Sequence, residues 1–268
     1  MAGVVIPIDK PRQWTSFQAV NKVKSAIRNH YGLKKFKIGH AGTLDPLATG
    51  LLLVCVGKAT KEIERLQQGE KVYSGTMVLG ATTPCYDLER AIDCYYPTQQ
   101  ITREKIEEAR QQFEGEIAQV PPMFSAVKIA GQRAYQYARK DDPEAVIQPK
   151  NVVVHSFEIT DVRNLGMTPP YPIGPVETIA NGEPMPTTGY YNHPEGVVPE
   201  GMPEIDFRIR CGKGTYIRSI ARDMGLALES GAFLASLRRE RIGDYTLERC
   251  VGLDSLEDYF TSRYAENE

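Results

Sequence analysis

Along the chain the hydrophobic positions switch repeatedly between the period of a strand and that of a helix. Residues 3–8 predict an opening strand. Residues 15–29 predict a helix, with Thr15 or Ser16 as N-cap and Phe17, Val20, Val23 and Ile27 along one face. Residues 51–56 form a short, wholly apolar run after Gly50, which predicts a buried strand, and residues 59–67 predict a short helix. Lys71–Leu79 alternates and predicts a strand. Residues 102–113 predict an amphipathic helix with Glu104 in its first turn, and residues 132–140 a shorter one. Residues 152–162 alternate again. Glu204–Cys211 puts Ile205, Phe207, Ile209 and Cys211 on one face and charges on the other. Residues 215–228 and 232–237 predict two helices, and residues 244–249 a closing strand. Consecutive strands often lack a crossover helix between them. The expected fold class is therefore α+β, with a mixed, mostly antiparallel sheet flanked by helices.

One segment breaks the pattern. Residues 165–203 hold nine of the eighteen prolines, six glycines, four Glu and no Lys or Arg. That composition predicts a loop, and because it interrupts two good strands it reads as an insertion at a hairpin tip. The expectation is a single domain over residues 1–268 with this insertion as a decoration.

Composition narrows the class. With 268 residues, 41% hydrophobic and 25% charged, the chain can build a sizeable core, and disorder as the dominant state is excluded. The longest strongly apolar run, residues 51–56, falls far short of the ~20 residues of a membrane span. No basic region followed by an apolar stretch opens the chain, so no secretory signal is expected. Five cysteines without a C-x-x-C pair fit reduced thiols in a cytoplasmic protein. His30, His40, His155 and His193 are scattered, which argues against a metal site.

Net charge is −2, but its distribution is uneven. Residues 1–61 carry ten Lys or Arg against Asp9 and Asp45. A second basic stretch, Arg208, Arg210, Lys213, Arg218 and Arg222, contains no acid. Local basic surface on a nearly neutral protein is the footprint of a polyanion partner, although any one run can also be a solvated helix face.

The most informative stretch is Gly39-His-Ala-Gly-Thr-Leu-Asp-Pro-Leu-Ala-Thr-Gly50. Its glycines allow sharp turns and close approach to a ligand. Pro46 pushes Asp45 out of the α region. A carboxylate on such a loop, in the most basic part of the chain, is a candidate catalytic group, and an Asx-turn or helix cap is the structural alternative. It is not a phosphate-binding P-loop, because Leu52 stands where the first Gly before Gly57-Lys58 belongs. Cys211-Gly-Lys-Gly-Thr-Tyr-Ile-Arg218 looks at first like a dinucleotide fingerprint, but Ile217 occupies the third Gly position and no βαβ unit surrounds it. What remains is a helix N-terminus beside Lys213, a candidate phosphate anchor. Residues 121–139 interleave aromatics and cations, which suits base stacking with phosphate contacts alongside.

These motifs together resemble the TruB-type tRNA pseudouridine synthases. G-H-x-G-T-L-D-P-x-A-T-G is followed by K-G-T-Y-I-R-S, as in that family. Asp9-Lys10-Pro11 with Thr15-Ser16 resembles its D-K-P-x-G-x-T-S. Gly57-Lys58-Ala59-Thr60-Lys61 resembles its G-x-A-T-K, and Lys71-x-Tyr73 its Tyr-bearing strand. Pro121-Pro122-x-x-Ser125-Ala126-x-Lys128, then Gly131, Tyr135 and Ala138-Arg139, resembles its RNA-gripping hairpin, here about residues 119–150. Leu237-Arg238-Arg239 resembles its late L-R-R. Three features depart from the pattern: Gln13 replaces the usual Gly, Thr83-Pro84-Cys85-Tyr86-Asp87 stands for a T-x-T-x-D turn, and the 165–203 insertion is atypical. The chain also stops soon after Tyr259, so a short form without the family's C-terminal RNA-binding domain is expected.

The resemblance implies a pseudouridine synthase fold and isomerisation of uridine 55 in the T-loop of tRNA, without cofactor, metal or obligate protein partner. It implies Asp45 as the essential carboxylate, with Arg218 as its ion-pair partner. Tyr73 would stack on the flipped uracil, His40 would fill the space the base vacates, and Tyr216 and Leu237 would line the pocket. Lys10 would support the loop, and Lys128, Arg139 and Lys213 would hold RNA. Two other classes remain open on the residues: a tRNA-binding or folding module without chemistry, and a guide-dependent synthase acting on ribosomal RNA.

Overall fold

A computed structural model of the chain describes residues 3–125, 127–129, 132–138, 147–167, 173–175 and 198–265. In chain order its elements are β1 (Val4–Lys10), α1 (Ser16–Tyr31), β2 (Ile38–Ala41), β3 (Thr49–Val56), a 3₁₀ turn (Gly57–Glu62), α2 (Ile63–Gln68), β4 (Lys71–Leu79), β5 (Ala81–Thr82), β6 (Cys94–Tyr95), α3 (Arg103–Gln111), β7 (Gly115–Gln119), β8 (Lys128–Ile129), β9 (Gln132–Arg133), α4 (Ala134–Ala138), β10 (Lys150–Arg163), β11 (Gly174–Pro175), β12 (Glu204–Cys211), α5 (Ile217–Ala227), β13 (Ala232–Ile242), β14 (Tyr245–Thr246), a 3₁₀ turn (Leu247–Arg249), β15 (Val251–Gly252) and α6 (Leu256–Ala265). They form two compact units, Met1–Tyr73 with Leu237–Glu268, and Ser74–Ser236. No described helix is long and apolar enough to cross a membrane.

The first unit is organised around β3, which is buried from Gly50 to Val56. Its apolar run pairs antiparallel with β1, from Val4 opposite Val56 to Lys10 opposite Gly50. β2 pairs antiparallel with β3 over Ile38–Ala41, and β13 pairs parallel with it, Arg238 opposite Thr49 and Arg239 opposite Gly50. β15 adds to β1 in parallel. α1 opens on a capping box: the Thr15 hydroxyl accepts the Gln18 N–H at 3.1 Å, and Gln18 Oε1 accepts the Thr15 N–H at 2.8 Å. It ends on Gly32, whose φ of 67° supplies the left-handed cap. Its buried face is Ser16, Ala19, Val20, Val23, Ala26 and Ile27. Phe17, expected on that face, is 70% exposed instead. Each helical residue turns about 100° from the last. Ser16 takes the inward place because its hydroxyl bonds the backbone of Leu44, and Phe17 is thereby turned out.

In the second unit the alternating segments pair as the sequence predicts. β10 and β12 run antiparallel from Val154 opposite Cys211 to Arg163 opposite Glu204, with two register shifts. β7 completes the far edge of β10. Phe113, Phe157 and Phe207 meet in tilted and edge-to-face contacts in the core, with ring centroids 6.3 and 6.2 Å apart.

Four predicted elements change. Residues 232–237 are strand, not helix: Ala232, Phe233 and Leu234 are all buried, and the Leu234 N–H donates to Tyr86 O at 3.0 Å. Residues 244–249 are the two-residue β14 followed by a 3₁₀ turn. Residues 59–67 divide between a 3₁₀ turn and α2. Within 132–140, β9 precedes the five-residue α4, and β9 pairs antiparallel with β8. Arg139 lies outside the described residues, as do 168–172 and 176–197 of the insertion.

Candidate active site

The loop that carries Asp45 joins β2 to β3 and is braced from several sides within the first unit. Ser16 Oγ donates to Leu44 O at 3.0 Å and accepts the Leu44 N–H at 2.9 Å, so one hydroxyl pins both polar groups of the residue before Asp45. Lys10, fully buried at the end of β1, donates from Nζ to Pro11 O at 3.0 Å, Trp14 O at 2.6 Å and Pro46 O at 3.1 Å. Three carbonyls satisfy the three protons of an ammonium that burial would otherwise penalise. The Ala48 N–H donates to Asp45 O at 3.2 Å and closes the turn. Gly42 and Gly50 have φ of 92° and 98°, the left-handed region that other residues enter only with strain. Asp45 itself is half-buried.

His40 is half-buried on β2, and its Nδ1 is a buried nitrogen without a hydrogen-bond partner. Burial, and then the nearby Arg239 charge, hold its pKa below the ordinary value, so the imidazole is neutral near pH 7. Tyr73 is buried on β4, and Leu237 is half-buried on β13.

A second cluster is built inside the other unit, at the start of α5. The turn after β12 is fixed by the Gly212 N–H donating to Val153 O at 2.8 Å and by Thr215 Oγ1 donating to Gly212 O at 3.2 Å. Lys213 is exposed on that turn. Tyr216 is the N-cap residue of α5, and the buried Gln119 side chain brackets its backbone. Gln119 Oε1 accepts the Tyr216 N–H at 2.8 Å, and Nε2 donates to Tyr216 O at 3.1 Å. Two positions on, Arg218 points into the core. It donates from Nη1 to Cys85 O at 3.0 Å and from Nη2 to Phe124 O at 2.8 Å.

Arg218 also meets Asp87, a carboxylate that the sequence reading does not single out. Asp87 closes the 83–87 turn, where Thr83 Oγ1 donates to Asp87 O at 2.7 Å and the Asp87 carboxylate accepts the Glu89 N–H at 3.0 Å. Tyr86 holds a left-handed φ of 58°, with the Arg222 guanidinium 5.7 Å from its ring centre. The Cys85 thiol in the same turn is pushed up to about 12 by burial and then by the Asp87 charge, so it stays protonated. The available signal was the departing Thr83–Asp87 turn itself, but nothing local ties it to an arginine 131 positions later.

Among the RNA-holding candidates, Lys128 lies on β8 at its pairing with Arg133. Lys22, Arg28, Lys34, Lys35 and Lys37 are all exposed, which leaves the basic N-terminal segment open to a polyanion.

Comparison with known proteins agrees with these motifs. The sequence model described as TruB family pseudouridylate synthase (N terminal domain) matches residues 28–168, and that of the tRNA pseudouridylate synthase B C-terminal domain matches residues 218–268. The second match overlies α5, β13 to β15 and α6. The tRNA pseudouridine synthase B of Phocaeicola vulgatus is 43% identical over 264 residues, 98% of this chain and 96% of its own. That of Flavobacterium johnsoniae is 46% identical over 259 residues, 96% of either chain. Among solved structures, a chain of the crystal structure of a Cbf5-Nop10-Gar1 complex superposes with a TM-score of 0.60 at 26% identity, covering 98% of this chain and 56% of that one.

Proposed function

Because the chain belongs to the TruB family of pseudouridylate synthases, we propose that it isomerises uridine 55 in the T-loop of tRNA to pseudouridine, with Asp45 as the essential carboxylate. The observation that carries this reading is the Gly39–Gly50 motif, complete in this chain and folded as a braced loop that presents one half-buried carboxylate.

The reaction is a rearrangement within one nucleotide. The C1′–N1 bond breaks and the uracil turns. C5 then bonds C1′, and the proton displaced from C5 is balanced by one gained at N1. The base sits in a stacked loop, so it must first be flipped out, at a cost of a few kcal/mol. In this reading Asp45 acts at C1′, with Arg218 as its ion-pair partner. Tyr73 stacks on the uracil and Tyr216 and Leu237 line its pocket. His40 fills the gap left in the RNA stack, a place suited to a flat, uncharged ring such as its neutral imidazole. Lys10 keeps the loop in place, and Lys128, Arg139 and Lys213 hold the RNA backbone. The activity belongs in the cytoplasm and needs neither cofactor nor obligate protein partner.

The test is single-turnover conversion of an unmodified tRNA transcript by the purified protein alone, read by chemical labelling of pseudouridine. Product at uridine 55 and at no other uridine is expected, and Asp45→Asn should form none while binding tRNA within about tenfold of the parent. Binding without conversion by the parent would favour an RNA-binding module. Conversion that requires an added guide RNA would favour the guide-dependent class.

A further inference from the structure

Arg239 is 1% exposed, the largest fully buried side chain among the described residues. Its side-chain donors end on backbone carbonyls around the Asp45 loop. Nη2 donates to Gly42 O at 2.9 Å and Nη1 to Thr43 O at 3.4 Å, where β2 gives way to the loop. Nε donates to Leu51 O at 2.8 Å, where the loop has entered β3. One planar fork therefore ties the two ends of the loop at a fixed separation.

The backbone tightens the same contact. Arg239 lies opposite Gly50 in the parallel pairing of β13 with β3. A Cβ at residue 50 would stand 2.3 Å from Arg239 O and 2.9 Å from its N, closer than any side chain tolerates. Gly50 thus serves two needs at once, a left-handed φ and a strand that comes against it.

Packing alone does not account for a charge here. A buried guanidinium keeps its charge at any working pH, and an apolar side chain of similar size fills a core at lower cost. What an apolar chain cannot do is accept the geometry of three carbonyls on two separate stretches of backbone. Lysine offers a point charge on a flexible stem and no fork.

We propose that Arg239 is a positioning residue for the pseudouridylation reaction: its fork joins the ends of the 42–51 loop and so sets the course of the chain that presents Asp45. This rests on the reading of Asp45 as the reacting carboxylate. Arg238 provides the contrast next door, since it faces outward and pairs with Asp9 at 2.8 Å.

The experiment compares Arg239→Lys, Arg239→Gln, Arg238→Lys and Asp45→Asn with the parent. Single-turnover rate at saturating tRNA, tRNA dissociation constant and thermal unfolding are measured for each. Arg239→Lys should lose about a hundredfold in rate, as a small displacement of a reacting group does, with affinity within about threefold of the parent. It should remain folded at the assay temperature, and backbone amides of residues 42–51 should exchange hydrogen faster than in the parent. Arg239→Gln is read the same way if the lysine variant does not fold. Arg238→Lys should keep the parent's rate. Parent-like turnover by a folded Arg239 variant, with Asp45→Asn inactive, would overturn the proposal. So would unfolding of both Arg239 variants, which would make the residue one of stability alone. Turnover by Asp45→Asn would instead remove the catalytic reading, and the proposal with it.

Discussion

Arg218 Nε lies 3.5 Å from Asp87 Oδ2, and the two side chains are only 4% and 8% exposed. The guanidinium and the carboxylate each find further partners in the turns around residues 85, 89 and 124. Removing one member of a buried pair takes from the other a counter-charge that water cannot readily replace. Asp87→Ala is therefore expected to cost about 3–5 kcal/mol of stability, read from urea unfolding at neutral pH. A change below about 1 kcal/mol would mean that water reaches the guanidinium.

Gln13 is a side chain in a place for glycine. Its φ of 66° lies in the left-handed region, where the family pattern has Gly. Gln13→Gly should stabilise the protein by about 0.5–1 kcal/mol, which for a chain of this size is about 2 °C in the unfolding midpoint. A lower midpoint would show that the glutamine side chain makes contacts that outweigh its backbone strain.

Acid should weaken the second unit at one identifiable place. Arg163 pairs with both Glu204 and Asp206 where β10 meets β12, and Thr76 Oγ1 donates to Asp206 at 2.7 Å. The Arg163 hydrogen bonds hold the Asp206 pKa below the ordinary carboxylate value. A depressed pKa contributes stability that is complete above the unfolded value, near 4, and is lost as pH falls through the folded one. Asp206→Asn should therefore be less stable than the parent at pH 7, with the gap closing in stronger acid. Urea midpoints at pH 7 and at about pH 3 measure this. An equal gap at both would assign the loss to geometry and not to charge.

The insertion is tied down more firmly than its composition suggests. Thr98 is fully buried and donates to Met167 O at 2.8 Å, and β11 pairs with β6. Replacing residues 176–197 by a short Gly-containing turn should change stability by less than about 1 kcal/mol, because closing a long loop costs little more than closing a short one. Replacing 166–201 should cost about 1–3 kcal/mol, since it strands the Thr98 hydroxyl. Single-turnover rates should stay within about tenfold of the parent in both. A larger loss with folding intact would mean that the insertion shapes the site.

The parts of the fold visible in the sequence are those decided by short-range pattern. The apolar run before Gly57 became the central strand β3, and the alternation on either side of the insertion became the β10–β12 ladder. The helices α1, α3 and α5 fall within about two residues of their predicted ends, as expected for capped amphipathic segments. Residues 232–237 went the other way. A short apolar run fits both periods, and neighbours at Tyr86, far away in sequence, decide for the strand. β2 and β7 left no clear trace, one lying partly within a glycine-rich motif and the other half polar. The same division holds for the candidate site. The motif around Asp45 is local and legible, whereas Ser16, Asp87 and Arg239, although each lies in a short motif, act across 28, 131 and 197 positions on partners that no local pattern names.

The discontinuity of the first unit has a consequence for synthesis. Residues 1–73 belong with residues 237–268, and Arg239 follows Gly42 by 197 positions. At about 5–20 residues per second, a ribosome needs roughly ten to forty seconds to pass from one to the other. Through that interval the basic N-terminal segment is already made, but the carboxylate loop has no closing strand. Nascent chains can therefore attract RNA before the loop is closed, and a message cut short before β13 yields a product that keeps the basic N-terminal segment but lacks the strand that pairs with Thr49 and Gly50.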